Sequence, residues 1–165
     1  GVPPEKIEAV IHPQSIVHAL VGFCDGALMA HLGAPDMRHA IGYALHWPDR
    51  RHLPVARIDL AQIATLEFHA PDLNRYPALR IARAVMETGG RSGAVFNAAK
   101  EIALDGFIAG RIGFMDMSGV VESTLDAISS QIRLTSPMSS LEDVLETDHM
   151  ARQTAWAIIG QMEKK

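Results

Sequence analysis

Residues 11–37 read IHPQSIVHALVGFCDGALMAHLGAPDM, and the pairing of this stretch decides the fold. Two apolar runs meet at Asp25-Gly26. Asp-Gly between apolar runs is the strongest short-range signal for a β-hairpin, because a type I′ turn needs positive φ at both central positions. With that dipeptide at the centre of a two-residue turn, Phe23 opposes Leu28, Val21 opposes Ala30 and Ala19 opposes Leu32. Side chains alternate across a strand, so these apolar residues share one face, expected to be core. The other face carries His18, Leu20, Gly22, Met29, His31 and Gly33, a mixed set expected to border a cleft or a partner. Gly33-Ala34-Pro35-Asp36-Met37 then forms a tight loop, and Asp36 is suited to cap the helix that follows.

Working outward, Pro3-Pro4 makes Gly1 to Lys6 a loop, and Ile7 to Ile11 reads as a short strand or lead-in. Pro13 interrupts it, since proline removes a ladder donor. After the hairpin, Met37, Ile41 and Leu45 recur at helical spacing with Ala40 and Ala44 beside them, and Pro48 stops the helix. Residues 49–70 suit a linker, polar at first and then weakly patterned, ending in a short strand, Thr65 to His69. From Pro77 the period stays helical. The stripes are Ala78, Ile81, Ala82, Val85 and Met86; Val95, Ala99, Ile102, Ala103 and Gly106; Val121, Leu125, Ile128 and Ile132. Ser139 or Ser140 is expected to cap a short turn holding Leu141, Val144 and Leu145. A last helix carries Ala151, Ala155, Ile158, Ile159 and Met162, with Thr147 or Asp148 as its cap. Four stripes with short connections imply an antiparallel helical bundle over 71–165.

Composition narrows the function. The chain has 165 residues, 48% hydrophobic, with a net charge of −4. That is one or two small domains with ample core and no basic footprint for nucleic acid. Cys24 is the single cysteine, so no internal disulfide forms, in keeping with a reducing compartment. No apolar run approaches the ~20 residues that span a bilayer, and no leader is visible. The opening GVPPEKIE does not resemble a native start, so the chain is expected to be a piece of a longer cytoplasmic protein. There is no GxGxxG opening a helix, no GxxxxGK[ST], no nucleophile elbow and no acidic pair placed to hold a metal.

The segments HPQSIVH (12–18), Asp25-Gly26, LGAPDMR (32–38), HWPDR (46–50), LEFHAPDLNRYPAL (66–79) and FNAAKEIA (96–103) resemble the 1-deoxy-D-xylulose 5-phosphate reductoisomerase family, over the C-terminal part of that family's chain. The resemblance implies an α+β organisation. Residues 1–48 are the C-terminal part of a central α/β catalytic domain, 49–70 a linker, and 71–165 a C-terminal α-helical bundle. It implies a parent enzyme that isomerises and reduces a sugar phosphate to 2-C-methyl-D-erythritol 4-phosphate, in the non-mevalonate route to isoprenoids. NADPH and a divalent metal (Mg2+ or Mn2+) are the implied cofactors, and a homodimer the implied assembly. The family's metal carboxylates lie in motifs this sequence lacks, so no catalytic or metal-binding residue is expected here, and the isolated chain is expected to be inactive with no cofactor bound. The family's flap tryptophan also lies elsewhere; Trp47 is not its counterpart. Lys100 stands where the family usually has asparagine, on a helix expected to be scaffold.

Pro35 and Met37 match the family loop beside the nicotinamide, which makes them the first candidates for a cofactor wall. The chemistry is reasonable, because hydride transfer needs a dry, shaped surface and a thioether packs adaptably on a flat ring. The competing role for Met37 is the first core residue of its helix. Ser15 is a third candidate, as a hydroxyl near the cofactor or simply a strand-entry cap. His18 is expected beside the active site, against the alternative of a structural histidine bonded to a backbone carbonyl. His12, His18 and His31 offer three imidazoles to a zinc ion, but Pro13 spoils the geometry and no carboxylate or thiol completes the set. The alternative for the whole chain is a non-catalytic helical and β-hairpin module that only binds a partner.

Overall fold

The computed structural model describes residues 2–163, and its contacts fall into two compact units. One is Glu8–Pro71; the other joins the leading residues up to Ile7 with Asp72 and the chain after it.

In the first unit, β1 (Val17–Gly22) and β2 (Leu28–Leu32) form a two-stranded antiparallel sheet. The register differs by one residue from that expected of a two-residue turn: Gly22 pairs with Leu28, Val21 with Met29, Leu20 with Ala30 and Ala19 with His31. The cause is the loop. The Gly26 amide donates to the Phe23 carbonyl and the Phe23 amide to the Ala27 carbonyl, so Cys24, Asp25 and Gly26 form a three-residue connection. Only Gly26 is left-handed there, at φ 88°. This is a type I turn followed by a left-handed glycine, which the same Asp-Gly dipeptide serves equally well. The Asp25 carboxylate accepts from the Ala27 amide and holds the corner.

A second irregularity restores the face of the histidines. The register shifts between Val17, opposite Leu32, and Ala19, opposite His31, so His18 is the extra residue of a bulge. A bulge sets two residues against one and re-aims the side chain. His18, Ala19, Val21, Met29 and His31 therefore lie on one side, and Val17, Leu20, Gly22, Leu28, Ala30 and Leu32 on the other. The expected apolar core face is instead exposed, with Leu28 at 70%.

The two other strands expected in this unit reduce to one bridge, Ile11 to His69. Side chains replace a ladder beyond it. The Gln14 Oε1 accepts from the Glu67 amide at 3.1 Å, and His12 Nδ1 donates to the Glu67 carbonyl at 2.8 Å. Proline at 13 cannot donate to a ladder, which is why side chains take over there. Helix α1 spans Arg38–His46, and a short helix, α2 (Leu60–Ile63), lies within the stretch expected to be linker, capped by Asp59. The α1 stripe is not core here: Met37, Ile41 and Leu45 are exposed, and only Gly42 is buried, against Leu53.

The second unit holds the core. Pro4–Lys6 forms a 3-10 turn where a loop was expected, and the Ile7 carbonyl accepts from Arg83. Four helices follow: α3 (Pro77–Thr88), α4 (Ser92–Ile108), α5 (Asp116–Ser129) and α6 (Leu141–Met162). On α4 the stripe read from spacing is buried in full, Val95, Ala99, Ile102, Ala103 and Gly106, and Ala98 joins it. It packs on Ile81, Val120, Val121, Ile128, Ala151, Ala155 and Ile159. The expected short turn plus last helix is a single helix, α6. Ser140 caps it by accepting from the Asp143 amide, while the Asp143 carboxylate accepts from the Ser139 amide and hydroxyl. That reciprocal arrangement satisfies amides the helix leaves open. Thr147, read as a cap, sits buried inside α6, where its hydroxyl donates to the Asp143 carbonyl and accepts from Arg91. No described helix is long and apolar enough to cross a membrane.

Candidate functional site

The site is built on three consecutive features of the Glu8–Pro71 unit. The first is the His12–Ser15 turn, closed by the Ser15 amide donating to the His12 carbonyl at 3.1 Å. Pro13 pre-sets its φ. Ser15 leaves the turn left-handed, at φ 51°. Such a conformation is uncommon for a residue with a Cβ and costs on the order of 1 kcal/mol or more, a feature that clusters at functional sites.

The second is the His18 bulge. His18 Nε2 lies 3.2 Å from the Gly33 carbonyl and 3.3 Å from the Ala34 carbonyl. Two acceptors require a proton on Nε2, so this nitrogen donates and pins the loop after β2 to β1. The structural role weighed for His18 is therefore present, and it acts on the very loop carrying the other candidates. The His31 ring sits beside it, centroids 5.7 Å apart.

The third is the loop itself. The Gly33 amide donates to the Ile16 carbonyl, and the Asp36 amide to the Ala34 carbonyl around Pro35. Asp36 accepts from the Arg38 amide and from its guanidinium. The Arg38 side chain, then its amide, holds the Asp36 carboxyl down to about 2. The cap position of α1 is Met37, not the expected Asp36, and it has no side-chain cap; the Asp36 carboxylate, one residue earlier, takes the first helical amide instead. The left-handed serine, the histidine-pinned loop and the capped helix converge: Ser15, His18, Pro35 and Met37 line one cavity of about 370 Å3, together with His31, Asp36, His39 and Ala40.

Two members of this lining were not anticipated as such. His39 follows Asp36 by three residues and Ala40 by four, so the helical period carries both to the side of Asp36. The buried Nε2 of His39 has no hydrogen-bond partner among the described residues. The three-histidine zinc arrangement does not form. The Ile16 amide donates to His12 Nε2, and Nδ1 donates to Glu67, so both ring nitrogens are committed; the ring stacks on Phe68, 4.6 Å between centroids. Among the described residues no group of three or more His, Cys, Asp or Glu side chains converges to hold a metal ion.

A small antiparallel sheet whose bulge pins a proline-methionine loop, followed in the chain by a four-helix unit, defines an α+β protein. The family model of the DXP reductoisomerase C-terminal domain matches residues 32–154, and the chain belongs to that family. The chain is 73% identical to the 1-deoxy-D-xylulose 5-phosphate reductoisomerase of Jannaschia sp. (strain CCS1), over 98% of this chain and 41% of that protein. It is similar to the solved structure of the Zymomonas mobilis reductoisomerase in complex with NADPH, with 42% identity and a TM-score of 0.84, over 96% of this chain and 40% of that one. A DOX-P reductoisomerase structure in complex with NADPH, fosmidomycin and magnesium matches at 36% identity and a TM-score of 0.84, over 93% and 38% of the two chains. The chain thus spans about two fifths of the length of the relatives it matches.

Proposed function

We propose that this chain is the C-terminal portion of a 1-deoxy-D-xylulose 5-phosphate reductoisomerase, an oxidoreductase and isomerase making 2-C-methyl-D-erythritol 4-phosphate with NADPH and Mg2+ or Mn2+. In this reading residues 1–48 complete the central catalytic domain, 49–70 link, and 71–165 form the C-terminal bundle. The parent is a cytoplasmic bacterial homodimer.

One observation carries the assignment of roles: Ser15, His18, Pro35 and Met37 share one cavity. Pro35 and Met37 present carbon and sulfur surface suited to the flat face of a nicotinamide ring, and the Ser15 hydroxyl offers a polar contact at its edge. His18 positions the loop through its two carbonyl contacts. The reduced nicotinamide supplies the hydride when bound; the residues of this chain shape and dry the wall beside it. In this reading the carboxylates that hold the metal lie in the part of the parent outside this chain. The chemistry belongs to the parent, with this piece as wall and brace.

The test compares two proteins. The full-length parent is expected to oxidise NADPH in the presence of 1-deoxy-D-xylulose 5-phosphate and Mg2+, and the 165-residue chain alone is expected to show no turnover. An inactive parent rejects the enzyme reading and favours a partner-binding module. Turnover by the chain alone rejects the division of labour.

A further inference from the structure

A second cavity, about 290 Å3, lies between α1 and the segment that follows it. Its wall includes Tyr43, Arg50, Arg51, His52 and Arg57, with His39. Arg50, Arg51, His52 and Arg57 lie in the stretch expected from its sequence to be a linker. The cavity rests on close packing: at Gly42 an added Cβ would meet Leu53 Cδ2 at 2.5 Å, so the helix backbone lies directly on the leucine. The Arg50 guanidinium carbon sits 3.9 Å from the centroid of the Tyr43 ring. Trp47 meets that same ring edge-on, 5.4 Å between centroids. Arg50 is thereby oriented by a stacked aromatic.

The charge balance is what marks the cavity. Three guanidiniums and two imidazoles line it, with no carboxylate among the lining residues. None of the ion pairs among the described residues uses Arg50, Arg51 or Arg57. Nearby carboxylates are committed or unengaged with them. Asp36 is bound to Arg38, Asp59 caps α2, and Asp49 enters no ion pair. The cluster sits in a chain of net charge −4, so it opposes the sign of its surroundings. Like charges gathered in one concavity repel each other, and an anion seated between them relieves that repulsion. Guanidinium is a planar fork whose donors match phosphate oxygens in pairs.

We infer that this cavity binds the phosphate or diphosphate group of a small phosphorylated molecule. Its volume is at the lower edge of small-molecule pockets, which suits a compact anion with a short organic tail. It is a concavity and not a stripe, and the chain as a whole is acidic, which argues against a nucleic-acid backbone. The inference does not depend on the reductoisomerase reading, because none of these residues has a role in it except through the shared wall at His39.

Inorganic phosphate and pyrophosphate are the probes, titrated by calorimetry into the 165-residue chain and into the full-length parent at constant ionic strength. Saturable binding at one site is expected for both proteins, with pyrophosphate several-fold tighter. The double variant Arg51→Gln/Arg57→Gln should weaken pyrophosphate at least tenfold while leaving the melting temperature without ligand nearly unchanged. Arg57→Lys, which keeps the charge but loses the paired donors, should bind pyrophosphate more weakly than the unaltered chain and more tightly than the double variant. Unchanged affinity in the double variant overturns the inference, as does a response matched by sodium chloride. Binding to the short chain but not to the parent overturns it as well, since another part of the parent then fills the cavity. If the double variant melts much earlier, amide chemical-shift mapping of the unaltered chain decides. Pyrophosphate must perturb Tyr43, His52 and Leu53, and perturbations confined elsewhere overturn the assignment.

Discussion

Truncating Met37 to alanine separates the two roles its position permits. In this chain Met37 is 71% exposed, so the side chain has little apolar surface to lose on its own unit. A surface truncation of this kind changes stability by less than about 0.5 kcal/mol, or no more than ~2 °C in melting temperature for a chain of this size. In the parent the same side chain is proposed to lie against the nicotinamide. The substitution removes three heavy atoms, Cγ, Sδ and Cε. At about 0.8 kcal/mol per buried methylene-sized group, half to full coverage by the ring corresponds to roughly 1–2 kcal/mol. With each 1.4 kcal/mol worth about tenfold, kcat/KM for NADPH should fall roughly 5–30-fold. The assay is steady-state NADPH oxidation by full-length Met37→Ala, beside thermal melting of the 165-residue Met37→Ala. A core role would reverse the pattern, costing ~2–5 kcal/mol of stability and leaving turnover per folded enzyme intact. A melting temperature lowered by more than about 5 °C in the short chain, with unchanged kcat/KM in the parent, refutes the reasoning.

Gly90→Ala should be the most damaging glycine substitution in the helical unit: φ is +54°, and a Cβ would lie 2.4 Å from the Leu134 carbonyl oxygen, a backbone atom that cannot swing away. Left-handed strain of about 1–2 kcal/mol plus a steric cost of about 1–3 predicts a loss near ~3 kcal/mol, seen as a fall of roughly 6–12 °C in a thermal melt; a shift under 2 °C would show that the α3–α4 corner is not held as described. Stability should also fall in acid. Glu101 and Glu122 are held below the ordinary carboxylate range chiefly by hydrogen bonds from Arg152 and Arg80, Glu163 by Arg111, and Asp143 chiefly by the Ser139 hydroxyl and amide. Because the folded values lie below the unfolded ones, their contribution is complete above the ordinary value near ~4 and is lost as pH falls through the lowered folded values. Melting curves from pH 7 to pH 2 should therefore hold level until about pH 4 and then descend, with charge-neutral Glu101→Gln/Glu163→Gln showing a shallower descent; a decline that begins above pH 6 would assign it to other groups.

Local patterns were legible because their causes are local. The α4 stripe is buried as its spacing required, since a 3.6-residue period leaves one set of positions to face the core. Asp25-Gly26 marked the turn, and the family resemblance singled out Ser15, His18, Pro35 and Met37, which the structure brings to one cavity. What escaped were decisions made by atoms far apart in sequence. Asp-Gly admits both a two-residue and a three-residue loop, and one extra residue moved every pair in the sheet by one. Thr147 looked like a helix start until Arg91, 56 residues earlier, gave its hydroxyl a partner inside α6. The α1 stripe promised a buried face, yet it is Gly42 that is covered, because Leu53 sits directly on the backbone there. Arg50, Arg51 and Arg57 lie in the stretch expected to be a linker, and only the fold of that segment against Tyr43 gathers their charges around one cavity. Periodicity and turn chemistry act within a few residues and can be read along the chain; register, burial and the meeting of like charges depend on what arrives from elsewhere, which a one-dimensional pattern does not contain.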